Sequence, residues 1–396
     1  MQKYVRFPFL FFFLAACVGL LLRWHFISPL SWLKFPYWLH AHSHLVFLGW
    51  IFNLLSLAFI HTHIEEVHKT KYIAIFLIIQ VLLLGMLISF PLQGYGFYSI
   101  LISTLHTVVV GVFVIWFFKD TSNKRYDPSR WFARISLIFF LISALGPFSL
   151  GPLMVNGLVY TKWYYFAVYY YLHFQYNGVF TFGVLSLFFG LLKERGVIVD
   201  QLLVRRFGYL MLIACFPAYF LSTLWAMPGL VFNIIGLVAA LMQLVAFIYF
   251  IKIVRSIPAS MIKNVSRTAR LLFAVAFLSF ILKLILQTWS AHPHIAQLAY
   301  EIRNYVMAYL HLVLLGMVTC FLLGWSLERK WIHSVELVWV FLFAFGFAGM
   351  EITLISTIDF TGLNLNSSSL LLGFSFMILA GIAGFLVHSF RVKEKN

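Results

Sequence analysis

The chain has 396 residues, is 63% hydrophobic and 10% charged, and carries a formal net charge of +16. So few charges cannot clothe a soluble protein of this size. The basic excess falls in the breaks between apolar runs, which excludes nucleic acid as a partner and points to anionic lipid headgroups.

Apolar runs long enough to cross a hydrocarbon core of ~30 Å recur along the whole chain, each needing about 20 residues. They lack the alternation of barrel strands and exceed their length of about 10 residues. Lipid requires every backbone group to be satisfied within its own segment, so the runs are read as helices. The fold class is therefore all-α, a polytopic membrane bundle. Twelve spans are predicted, at 7–26, 36–60, 72–90, 97–118, 132–150, 163–192, 207–226, 229–251, 268–289, 299–326, 333–357 and 368–390. The first is too long and too aromatic for a cleaved signal. No linker is long enough to part the chain, so 1–396 is read as one helical domain. Cys17, Cys215 and Cys320 all fall in apolar runs and read as buried small hydrophobes.

Orientation follows from where the positive charge sits. The breaks after spans 4, 6 and 8 carry Lys119, Lys124, Arg125 and Arg130, then Lys193, Arg195, Arg205 and Arg206, then Lys252, Arg255, Lys263 and Arg267. The termini add Lys3, Arg6, Arg391, Lys393 and Lys395, whereas the breaks after spans 3, 7 and 11 carry no Lys or Arg. Positive charge stays inside. Both termini are expected in the cytoplasm, and the bacterial inner membrane is the expected location.

Of 14 histidines, His25, His61, His63, His68, His292, His294, His333 and His388 fall at span ends or in loops and read as solvated or interfacial. The others are functional candidates, because an ionisable group inside a span is costly. They are the cluster His40, His42 and His44 on span 2, His106 on span 4, His173 on span 6 and His311 on span 10. Counted from the outer start of each even span, His44, His106, His173 and His311 lie roughly 12–18 Å deep at 1.5 Å per residue. A shared metal or haem layer accounts for that common level, imidazole being the usual protein ligand for iron and copper. His40 and His44 share one helix face and His42 points nearly opposite, so at most one of the three serves a given metal.

These motifs resemble those of the catalytic subunit of haem–copper oxidases and nitric oxide reductases. Span 10 reads Tyr305-Val-Met-Ala-Tyr-Leu-His311-Leu-Val-Leu-Leu-Gly316 and is similar to that superfamily's tenth helix; the resemblance gives His311 the role of low-spin haem ligand. Span 2 reads Ala41-His-Ser-His-Leu-Val-Phe-Leu-Gly-Trp50 and resembles the second helix, which supplies the opposite ligand. His42 and His44 both fit, with His44 favoured for its distance to Leu-Gly-Trp. Span 6, Tyr171-Leu-His-Phe-Gln-Tyr-Asn-Gly178, places His173 at a copper-ligand position, with His106 as a further metal candidate. Two departures stand out. Tyr309 occupies the place of the high-spin haem ligand, and 207–226 has no histidine where the superfamily has a copper-binding pair. Tyr can ligate haem iron, so Tyr309 stays a cofactor candidate. The resemblance thus implies a low-spin bis-histidine haem, leaves copper open, and suggests a small redox donor, a quinol or a cytochrome. In length the chain is similar to twelve-span nitric-oxide-response membrane proteins.

Arg303, eight residues before His311, is a candidate partner for a haem propionate, or else an interfacial anchor paired with Glu301. Glu351 lies within span 11, and Lys283 on span 9 is expected to snorkel outward. Three functions are consistent with the sequence: a redox or electron-transfer haem protein acting with oxygen or nitric oxide, a non-enzymatic nitric oxide or haem sensor, and a transporter using histidines for protons or metal ions.

Overall fold

The computed structural model describes residues 1–122, 126–226, 229–332, 335–356 and 367–391. Lys124, Arg125, His333, Lys393 and Lys395 lie outside the described residues. The described chain contains helices and turns and no strand. Among the described residues eleven helices are long and apolar enough to cross a membrane. In chain order they are span 1 (Gln2–Ile27), span 2 (Phe35–His63), span 3 (Glu66–Gln93), span 4 (Phe97–Asp120), span 5 (Pro128–Val155), span 6 (Lys162–Glu194), span 8 (Leu230–Arg255), span 9 (Arg267–Trp289), span 10 (Arg303–Glu328), span 11 (Leu337–Ile355) and span 12 (Ser367–Phe390).

Span 7 differs from the expectation. Its α-helix, Gln201–Cys215, is only 15 residues long and gives way to the 3-10 turns Pro217–Ser222 and Leu224–Ala226. Pro217 brings no N–H to the helical ladder, so the coil tightens instead of continuing. Fifteen α residues rise about 22 Å and six 3-10 residues about 12 Å, so the broken stretch is still long enough to cross. A short exposed helix, Pro293–Glu301, precedes span 10, which starts at Arg303 and not at 299.

Helix starts follow the sequence. Asp127 caps span 5 by accepting from the Ser129 N–H at 2.9 Å, with Pro128 in the first turn, and Asp200 caps span 7 by accepting from the Leu202 N–H at 2.7 Å. Gly196, at φ +69°, turns the chain after span 6, a conformation that L side chains rarely adopt.

The chain divides into two compact units. The first comprises Met1–Asn123, Arg267–Leu272 and Leu322–Asn396. In it span 4 packs on 3, 3 on 2, 2 on 1, 1 on 12, and 12 on 11. Trp50 of span 2 is fully buried and stacks on Phe12 of span 1, centroids 4.3 Å apart. Gly49 beside it lets Phe11 approach, since a Cβ there would lie 3.0 Å from Phe11 Cβ. The Leu-Gly-Trp stretch thus serves the packing of spans 1 and 2. Spans 2 and 3 also share a buried amide pair: Asn53 Nδ2 donates to Gln80 Oε1, and Gln80 Nε2 donates back to Asn53 Oδ1, both at 2.9 Å. Reciprocal pairing satisfies two amides that apolar surroundings would otherwise leave costly.

The second unit comprises Lys124–Ser266 and Phe273–Phe321. Span 5 packs on 6, 6 on 7, and 7 on 8, and the middle of span 6 touches the middle of span 10. Lys283 belongs to this unit and does not snorkel: only 1% of it is exposed.

A candidate haem and ligand site on spans 2, 6 and 10

Three spans depart from α geometry just after a candidate histidine. Leu45–Phe52, Phe174–Phe180 and Leu312–Thr319 are π-helical, and each begins at the residue after a candidate histidine: His44, His173 and His311. A π turn adds a residue to the coil, and such segments concentrate at functional sites. The sequence carried a signal for this that hydropathy hides. A glycine follows each of the three histidines by five residues, as Gly49, Gly178 and Gly316. Gly178 admits Phe139 of span 5, whose Cγ would lie 2.5 Å from an added Cβ. His106 is also followed by a glycine five residues on, Gly111, but nothing approaches that glycine within 4 Å and span 4 stays α-helical.

In the first unit the span 2 histidines part company. His44 stacks on Phe90 of span 3, centroids 4.4 Å apart at 14°, and His40 lies 4.4 Å from Tyr95. His106, fully buried on span 4, and His40 are within electrostatic range of His44. The Nδ1 of His44 is buried without a hydrogen-bond partner. His42 instead turns toward span 1. Its ring rests against Gly19, where an added Cβ would lie 2.9 Å from Cε1, and its Nδ1 is 2.9 Å from the carbonyl of Ala15. A carbonyl only accepts, so Nδ1 carries the proton and Nε2 keeps its lone pair. That is the arrangement of an imidazole prepared to ligate a metal, one nitrogen oriented by a backbone carbonyl and the other open. The surroundings of His42 therefore fit a haem ligand, whereas the sequence motif favours His44. Arg23 of span 1 lies within electrostatic range of His42 and of Glu351 on span 11. No motif singles out Arg23 in the sequence; it stands alone near the end of the apolar run of span 1.

In the second unit His311 closes the α part of span 10, and Ala308 and Leu312 beside it are buried. Tyr309 packs edge-on to Tyr176 of span 6, centroids 5.9 Å apart, and Tyr176 lies 6.0 Å from the ring of His173. Tyr309 thus belongs with the surroundings of His173. Arg303 is exposed at the first turn of span 10, while Glu301 accepts from Gln297 at 3.0 Å.

His173 is held at both nitrogens. Nε2 lies 2.8 Å from the carbonyl of Cys215 on span 7, and Nδ1 lies 3.1 Å from Asn177 Nδ2. The carbonyl fixes the proton on Nε2, so Nδ1 accepts from the amide, and neither nitrogen offers a free lone pair. Span 7 contributes a backbone oxygen and a thiol here, and the buried Lys283 lies within electrostatic range of both His173 and Cys215. This donor set does not fit a copper ion. Among the described residues no group of three or more His, Cys, Asp or Glu side chains is placed to hold a metal, His106 included.

The peripheral histidines are mostly structural. His292 caps the helix Pro293–Glu301 by accepting from the His294 N–H at 3.3 Å, which accounts for the His-Pro-His pair. His63 and His388 are buried, not solvated as expected. His388 binds the Gly384 carbonyl through Nδ1 at 2.7 Å and Glu336 through Nε2 at 2.9 Å.

No protein-family model and no curated protein matches the sequence. Among solved structures, the chain is similar to one described as a heme-copper terminal oxidase dimer, studied by cryo-EM. The TM-score is 0.69 at 12% identity, over 100% of this chain and 84% of that one. At that identity the likeness establishes the fold: the chain is an all-helical integral membrane protein with the architecture of a haem–copper oxidase catalytic subunit.

Proposed function

We propose that the chain is a haem-binding redox protein of the inner membrane, in which His311 and a histidine of span 2 are the axial ligands of one low-spin haem. The observation that carries this reading is His42, whose Nδ1–H is tied to Ala15 while Nε2 stays open. The shared fold and the likeness of span 10 to an axial-ligand helix support it. Bound haem would supply a one-electron carrier. The chain's own part is to orient the imidazoles, to set Arg23 near the span 2 ligand and to exclude water with buried aromatic residues.

The engaged nitrogens of His173 favour a particular version of this function. A protein without the copper centre would carry electrons, or sense and buffer nitric oxide, without rapid oxygen turnover. Purified protein is expected to give the reduced-minus-oxidised spectrum of a low-spin haem, with copper well below one per chain. Turnover with a quinol or cytochrome donor separates the electron carrier from the sensor. Protein made with ample haem supply that shows no haem spectrum would sink the proposal and favour a transporter.

We also propose that both termini face the cytoplasm, on the strength of the basic breaks after spans 4, 6 and 8. This requires the broken span 7 to cross. Cysteines introduced at Lys119 and Arg195 should be shielded from an impermeant thiol reagent in intact cells and labelled after lysis. Labelling of either in intact cells defeats the orientation.

A further inference from the structure

The second unit buries a lysine amine for which its described residues place no carboxylate partner. Lys283 stands well inside span 9 with 1% of its surface exposed. Its Nζ donates to Gln287 Oε1, one turn further along the helix, at 3.1 Å. An ammonium has three donors, so two remain. The sequence of this unit contains four carboxylates, Asp127, Glu194, Asp200 and Glu301, and all stand at helix ends. Asp127 is engaged by Lys193, Asp200 caps span 7, Glu194 closes span 6, and Glu301 closes the short helix before span 10.

The groups within electrostatic range of Lys283 are not anionic. His173 from span 6 is a neutral imidazole by its hydrogen bonds, and the carbonyl of Cys215 from span 7 is already taken by it. The Cys215 thiol lies 4.0 Å from His173 Nε2, a nitrogen that the Cys215 carbonyl keeps protonated, so it offers the thiol no base. A buried charge with no partner costs several kcal/mol, and proteins meet that cost with a counter-charge or by losing the proton.

We propose that Lys283, with Gln287, anchors an internal binding site for a small oxygen-bearing anion of the carboxylate or nitrite class, within electrostatic range of His173 and Cys215. The two spare ammonium donors match the two oxygens of such an anion, and Gln287 holds the third donor so that the other two keep a fixed direction. A cation within electrostatic range of His173 adds to the misfit of copper there, since it repels a second cation. The carboxylate has two possible sources, a free small anion or the propionate of a bound haem. The inference does not rest on the haem reading, since the buried amine with no carboxylate partner in its unit is there in either case.

The test is thermal unfolding in detergent, followed with a thiol-reactive dye that reports exposure of the buried Cys215 and Cys320. Sodium formate is compared with sodium gluconate at equal ionic strength, gluconate being too bulky for an internal site. Protein is prepared with and without haem supplementation. Formate should raise the midpoint of the wild type and of Lys283→Arg, and leave Lys283→Met unmoved. The Met variant should fold, because it removes an unpaired charge and keeps an unbranched stem of similar length. A formate shift confined to haem-poor protein supports the site and assigns its occupant as a haem carboxylate; a shift in both preparations supports it with a free anion. Equal shifts in wild type and Lys283→Met overturn the assignment. No shift in wild type under either preparation also overturns it, and the amine is then held neutral.

Discussion

His311→Ala should remove most of the bound haem while leaving the protein inserted and folded, lowering the haem-to-protein ratio by about tenfold or more, the scale on which metal-site partners act. Axial-ligand identity is a principal means by which a protein holds and tunes haem. The informative comparison lies on span 2. His42 and His44 are about 200° apart around a helix, so they face different neighbours and cannot replace one another. The open Nε2 of His42, with its other nitrogen bound to Ala15, predicts that His42→Ala matches His311→Ala. His44→Ala should be milder, since its ring is already placed against Phe90. His173→Ala should leave the low-spin spectrum unchanged. Reduced-minus-oxidised spectra at matched protein decide among these. An unchanged spectrum in His311→Ala ends the axial assignment, and haem loss confined to His44→Ala returns the ligand to the residue that the Leu-Gly-Trp spacing favoured.

Gly384→Leu should be among the most destabilising single changes in the first unit. Spans 11 and 12 approach closely along Gly346, Gly381 and Gly384, where small residues let backbones meet in lipid. A Cβ at Gly381 would lie 2.7 Å from the Phe343 backbone N, and one at Gly384 would overlap the Trp339 ring. Neither neighbour is the end of a flexible chain, so the helices must separate. Overpacking of this kind costs about 1–3 kcal/mol, and each kcal/mol lowers the thermal midpoint by about 2–4 °C in a domain of 150–250 residues. Span 12 provides its own control: Gly373 has nothing within 4 Å of an added Cβ, so Gly373→Leu should be nearly silent. Equal losses from the two substitutions would show that helix contact at Gly384 is not the cause.

Hydropathy alone determined that the chain crosses a membrane, that it does so with helices, and where the crossings lie to within a few residues. Those properties are sums over local composition, because lipid imposes the same demand on every segment. Motif likeness also singled out candidate histidines on spans 2, 4, 6 and 10, since a histidine inside an apolar run is conspicuous wherever the chain folds. The break at Pro217, the different neighbours of His42 and His44, the engagement of His173 and the burial of Lys283 were decided only by tertiary structure. Each depends on how far a helix is rotated and on which neighbour meets it. The carbonyls of Ala15 and Cys215 that fix two of the imidazoles stand 27 and 42 residues away in sequence and carry no side-chain signature. Lys283 read as an interfacial residue because a long flexible side chain on an isolated helix can always reach water. In the folded unit spans 6 and 7 bring His173 and Cys215 within electrostatic range of it, and it is enclosed.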